Sequence, residues 1–133
     1  MAGTFNFIVV EPNGQILDKD VEFVLARSEE GDLGILAHHS ALIASLVIGV
    51  VEYTANGKKD KIAVSGGFME VAGNKVTILA NSAEIAENID VTRAQAAKER
   101  AEKRLRERQP DIDLIRAEAA LKRAMARIKA SEK

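Results

Sequence analysis

The chain has 133 residues, 47% hydrophobic and 29% charged, the composition of a globular chain with room for one ordinary domain or a small domain plus an appendage. It has no cysteine, which excludes disulfides and thiolate metal sites and fits a reducing compartment. No apolar run approaches the ~20 residues that span a bilayer, and the N-terminus lacks the basic start and cleavage site of a secretion signal, so the expected location is cytosolic or peripheral on a membrane complex.

The net charge of −1 conceals two chemically different parts. Through Ala86 there are 6 Lys+Arg against 11 Asp+Glu, and from Glu87 onward 13 against 9. Phe5, Phe7, Phe23, Tyr53 and Phe68 all lie in the first part. The expected division is residues 1–86 and 87–133.

In chain order, Phe5, Phe7 and Val9 alternate with Thr4, Asn6 and Ile8 as in a half-buried strand, and Glu11-Pro12-Asn13-Gly14 supplies a turn. A strand is expected through Val21, Phe23 and Leu25, closed by Ser28-Glu29-Glu30-Gly31. A short apolar segment covers Leu33–Ala37, and a longer one, broken at Gly49, covers Leu46–Tyr53. Asn56-Gly57 predicts a hairpin between Val50–Tyr53 and Lys61–Val64, and Gly73-Asn74 another between Gly67–Val71 and Lys75–Ala80. Short strands with regular turns point to a sandwich or flattened barrel.

Beyond Asn88 the period becomes helical. Ala94, Ala97, Ala101 and Leu105 form one stripe, and Leu114, Ala117, Leu121, Ala124 and Ile128 form a second. Asp90 and Asp111 suit N-caps, and Gln109-Pro110 breaks the chain between two helices that should fold back antiparallel. The seam is thin. Its few large side chains are worth ~1.5–3 kcal/mol each, against ~1–2 kcal/mol of backbone entropy per ordered residue. Such a hairpin needs a surface to lie on or a ligand to hold it.

Catalytic machinery is not expected. His38 and His39 are adjacent in a loop with no further histidine, and a solvated pair is the simple reading. Ser65-Gly66-Gly67 lacks the lysine and helix of a phosphate loop and reads as close strand packing. The helices carry the more specific signal. Arg93, Lys98, Lys103, Arg104, Arg106, Arg116, Lys122 and Lys129 each have an acid three or four residues away, whereas Arg100, Arg123 and Arg127 have none. A solvated basic face would explain this. So would a polyanion held by guanidinium forks, the better phosphate binders. A nucleic acid is a third reading, weakened by the lack of helical aromatics for base stacking.

Three strings, Gly31-Asp32-Leu33-Gly34-Ile35-Leu36, Val64-Ser65-Gly66-Gly67-Phe68-Met69-Glu70-Val71 and Val76-Thr77-Ile78-Leu79-Ala80, taken in order, resemble the epsilon subunit of bacterial F-type ATP synthases. The similarity runs through essentially the whole chain. It implies an α+β fold: an N-terminal ten-stranded β-sandwich followed by a C-terminal antiparallel two-helix hairpin. It also implies a non-catalytic stalk subunit, peripheral at the cytoplasmic face of the bacterial membrane. The β-domain would contact the gamma subunit and the c-ring, and the helices, once extended, would reach the alpha and beta subunits and inhibit ATP hydrolysis.

In bacillus-type members the folded hairpin binds ATP. Their motif, Ile or Leu, Asp, two variable residues, Arg, Ala, stands here as Ile89-Asp90-Val91-Thr92-Arg93-Ala94, and Arg123 and Arg127 match the second-helix arginines. Glu84 and Arg100 are marked by the same similarity. The resemblance implies ATP as a regulatory ligand, with magnesium possible. Its phosphates would meet Arg93, Arg123 and Arg127, assisted by Arg100, with Asp90 and Glu84 holding sugar or base groups or orienting the arginines. Two alternatives stand beside it: a structural stalk subunit that senses no nucleotide, and a nucleic-acid-binding module. One departure is local, since Ala37-His38-His39 stands where members usually carry Pro-Gly-His.

Overall fold

The structure, a computed structural model, describes residues 3–108 and 113–132. Eight strands come first: β1 (Phe5–Glu11), β2 (Gly14–Val21), β3 (Phe23–Ser28), β4 (Gly31–Leu36), β5 (Leu42–Ala55), β6 (Lys58–Ala72), β7 (Lys75–Ala80) and β8 (Ala83–Ile85). A 3-10 turn at Ala86–Asn88 leads into helices α1 (Val91–Glu107) and α2 (Leu114–Ser131). The strands hydrogen-bond in the order β2-β1-β7-β6-β5-β3-β4, with β8 added to β6. The pair β1–β7 is parallel and the other pairs are antiparallel.

Period-two patterning makes this a sandwich. Phe5, Phe7 and Val9 are buried while the residues between them are partly exposed, and they join Val21, Val24, Ile35, Tyr53, Ile62, Met69 and Ile78 in one core. The Phe7 and Tyr53 ring centroids lie 5.5 Å apart.

Both expected hairpins are present. Asn56 (φ 52°) with Gly57 (φ 74°), and Gly73 with Asn74 (both φ 57°), take the double positive φ of a type I′ turn. Three strand expectations need correction. The segment through Val21, Phe23 and Leu25 is two strands, because the chain bends at Glu22 and the buried phase shifts there, from Val21 to Val24 and Ala26, leaving Phe23 and Leu25 partly exposed. The break expected at Gly49 does not occur: β5 runs 14 residues, and a Cβ at Gly49 would touch the Arg27 stem at 3.4 Å. The segments Lys61–Val64 and Gly67–Val71 are halves of the 15-residue β6.

The eight strands reconcile with the ten implied by resemblance through β5 and β6. Their pairing skips between Leu46↔Gly67 and Ile48↔Ser65. Beyond the skip β6 pairs with β7, and before it with β8, so each long strand serves two parts of the sandwich. Gly67 sits at this point with φ +131°, and a Cβ there would fall 2.1 Å from the Leu79 carbonyl oxygen. Ser65-Gly66-Gly67 is thus close strand packing.

Asp90 caps α1 by accepting the Arg93 N–H at 3.0 Å. For α2 the expected cap at Asp111 is corrected: Asp113 accepts the Arg116 N–H at 3.1 Å, and the helix begins at Leu114. Asp111 and Pro110 lie outside the described residues. Helix α2 packs on β5 and β6, and α1 packs on α2. Alanines make both contacts. Ala94, Ala101, Ala117 and Ala124 are buried, and Ala126 and Ala130 meet Ala63, Ile89, Ile48 and Val50 on the sheet side. Leu114, expected in the seam, is exposed. No described helix is long and apolar enough to cross a membrane.

Candidate functional site at the helix–sandwich junction

Strand β8 brings Glu84 opposite Ala63 on β6, under the flank of α2. Because Ala126 and Ala130 turn α2 onto the sheet, Arg123 and Arg127, one helical turn apart, fall on that same flank. The Arg127 Nε donates to Glu84 Oε1 at 2.9 Å, with both side chains about two-thirds buried (33% and 38% exposed). The absence of a local acid for Arg127 is therefore made good from another element. Neighbour spacing along a helix cannot register a partner 43 positions away.

Arg123 and Arg127 together line a shallow cleft with Ser65, Ser82, Val64 and Ala63. The Ser65 and Ser82 hydroxyls hydrogen-bond to each other at its base. Sequence reasoning missed both serines as members of the site. Ser65 is signalled only by the Ser65-Gly66-Gly67 string, which reads first for its glycines, and Ser82 has no signal of its own. Among the described residues Arg123 makes no ion pair.

The other expected residues divide. Ile89 is buried against Ala126 and Ala130, and Ala94 is buried, so both are structural supports of the docked hairpin. Asp90 engages the Arg93 backbone as an N-cap. The Arg93 and Arg100 side chains are exposed on α1 and do not line the cleft. The structure thus brings Glu84, Arg123 and Arg127 together, props them with Ile89, and leaves Arg93 and Arg100 apart.

Spacing also overstated the local pairs. Lys103 pairs with Glu107 at 3.9 Å rather than with Glu99. Among the described residues no other intrahelical pair comes within ion-pair distance. Exposed pairs of this kind gain little over solvation. His38 is exposed with φ 63°, its N–H donating to Asn74 Oδ1 at 2.7 Å. The His39 ring meets the Ser40 carbonyl. Among the described residues no cluster could hold a metal ion.

The cleft is small, about 10 Å³, room for about one water, so it presents its donors at the surface rather than enclosing a ligand. The bond to Glu84 uses the Arg127 Nε, so the terminal amino groups have no partner among the described residues. Beside Arg123 they offer forked donors to one anion.

Comparison with known proteins agrees with this architecture. Residues 4–86 match the family described as ATP synthase, Delta/Epsilon chain, beta-sandwich domain, and residues 87–132 match ATP synthase, Delta/Epsilon chain, long alpha-helix domain. The ATP synthase epsilon chain of Desulfitobacterium hafniense is 57% identical over 109 residues, covering 82% of this chain and 83% of that one. The epsilon chain of Desulforamulus reducens is 46% identical over 132 residues, covering 99% and 100%. A chain in the cryo-EM structure of the Euglena gracilis mitochondrial ATP synthase (OSCP/F1/c-ring) superposes with a TM-score of 0.80 at 27% identity, over 98% of this chain and 82% of that one. A chain of the Tetrahymena thermophila central stalk/c-ring, at 15% identity and a TM-score of 0.55, shares the fold.

Proposed function

This chain belongs to the ATP synthase delta/epsilon family as a bacterial epsilon subunit of the central stalk, and from that premise we propose that it is a non-catalytic regulator whose docked hairpin is held by ATP. The observation that carries the reading is the cleft where Arg123 and Arg127 converge beside Glu84. It is made from α2, β6 and Ser82, with Glu84 of β8 beside it, so it exists only while the hairpin lies on the sandwich. A ligand that binds only this state stabilises it by about 2.7 kcal/mol at a hundredfold excess over Kd. That weighs heavily against a docking surface made of alanines.

In this reading Arg123 and Arg127 hold the phosphates and Glu84 orients Arg127. Arg93 and Arg100 close in from α1, and Asp90 adds a contact to sugar or base beside its capping role. When ATP is scarce the hairpin leaves the sandwich, extends toward the alpha and beta subunits and inhibits hydrolysis. The sandwich docks on the gamma subunit and the c-ring, peripheral at the cytoplasmic face of the membrane. The exposed Ile43, Phe68 and Leu79 support a protein partner for it. Phe68 stands directly opposite Leu79 and diagonal to Ile43 across adjacent strands, which makes an apolar patch.

Calorimetric titration of the full chain with ATP tests the proposal. Arg123→Ala and Arg127→Ala should each weaken binding by about tenfold or more, the worth of a charge-assisted contact. Unchanged affinity in both would remove the cleft from the account, and no binding by the unaltered chain would leave a stalk subunit that senses no nucleotide.

A further inference from the structure

Helix α2 has a second flank, facing away from Arg123 and Arg127. There it leans over β3 and β5 and encloses a groove of about 550 Å³, within the size range of small-molecule sites. Leu25, Ile48 and Val50 form the floor, and Met125 and Ile128 form the helical wall. Met125 is half exposed, an apolar side chain facing an apolar floor with no cover.

The rim is charged. Lys122 and Lys129, seven residues apart on one face of α2, stand there with Lys98 of α1. Spacing predicts a carboxylate partner for each, yet none lies within ion-pair distance among the described residues. Of the remaining rim charges, Arg27 and Asp32 pair with each other at 3.5 Å, and Glu52 and Glu132 are the opposing acids. The ammonium groups outnumber the carboxylates left to face them.

We infer that this groove is a second ligand site, for a small amphiphilic anion whose hydrocarbon body lies on Leu25, Ile48 and Val50 and whose carboxylate or phosphate meets Lys98, Lys122 and Lys129. The floor belongs to the sandwich and the wall to the helices, so occupancy favours the docked hairpin without using the arginine cleft. The inference stands whether or not ATP binds on the other flank.

The chain has three methionines, of which Met69 is fully buried and Met125 lines the groove, so methyl NMR of the full chain reads the site directly. Decanoate or decyl phosphate should shift the Met125 methyl and leave Met69 in place, and decanol and acetate at equal concentration should do neither. Lys122→Ala and Lys129→Ala should each weaken binding by about fivefold, the factor an exposed ion pair supports at its upper end, and Arg123→Ala should leave it unchanged. An unmoved Met125 methyl with both anions, decanol binding as tightly as decanoate, or loss of binding through Arg123→Ala would each overturn the inference.

Discussion

The Arg127 Nε lies 2.9 Å from Glu84 Oε1 and ties the C-terminal half of α2 to the short strand β8. A second polar tie lies farther along, where Lys61 Nζ donates to the Glu132 carbonyl at 3.3 Å. Between them the interface is alanine on alanine and isoleucine. Such a surface fits α2 closely but contributes little transfer free energy per residue. The hairpin is therefore held by shape and a few polar contacts, with little apolar burial to oppose undocking.

Removing the first tie should loosen the hairpin without unfolding the sandwich. Both side chains keep about a third of their surface in water, which limits the pair to about 1 kcal/mol or less. Glu84→Ala should speed amide hydrogen exchange in α2 by up to about fivefold, while β6 and β7 keep their protection. A double-mutant cycle with Arg127→Ala should return a coupling of that same size. Additive effects of the two substitutions would mean that the contact carries no energy.

Gly67 tests the long-strand architecture. A Cβ at its φ of +131° would sit 2.1 Å from the Leu79 carbonyl oxygen and 2.9 Å from Ala80 Cα, both backbone atoms. No side-chain rotation relieves such a clash, so β6 and β7 must part. Gly67→Ala should cost about 3 kcal/mol or more in urea unfolding. Gly57→Ala, at a turn with nothing within 4 Å, should cost only the strain of its positive φ, about 1 kcal/mol.

The sandwich was legible because alternation and turn chemistry are local: Asn56-Gly57 and Gly73-Asn74 form the turns their residues dictate. What was not legible depended on partners distant in sequence. Val21 and Phe23 share one alternating run, yet their strands pair with different neighbours. β6 reads as two strands because its glycines mark a change of partner rather than an end. At the site the arginine census found Arg123 and Arg127, but a search along helices could reach neither Glu84 nor the serines beneath them. The alanines at 126 and 130 escaped because a seam was sought between the helices, not against the sheet.

Tyr53 predicts an alkaline weakness of the core. Burial, then the nearby Asp60 carboxylate, pushes its phenol up to about 12, whereas an unfolded tyrosine ionises near 10. The folded state keeps a proton that the unfolded state releases. The contribution is thus intact below pH ~10 and lost as pH rises through ~12, at up to about 1.4 kcal/mol per pH unit. Tyr53→Phe should flatten this part of the profile. Urea midpoints from pH 9 to 11.5, as approximate settings across that range, should fall more steeply for the original chain than for the variant. Parallel profiles would show that Tyr53 is not the group responsible.

Ala130 is the most direct lever on docking. It is 1% exposed and packs in the cluster with Ala63, Ile89 and Ala126. Leucine there adds volume to a contact with no space for it, an overpacking cost of about 1–3 kcal/mol. The core of the sandwich contains none of these residues, so the cost falls on docking alone. Ala130→Leu should expose α1 and α2 to rapid exchange while the β-strand amides stay protected. If only the docked hairpin binds ATP, apparent affinity should fall by the fraction of docked molecules lost, although no residue of the arginine cleft has changed. Ala119→Leu, at a half-buried position outside that cluster, should leave docking and ATP affinity closer to the original. Equal effects of the two would mean that the sheet contact at Ala130 does not govern the hairpin.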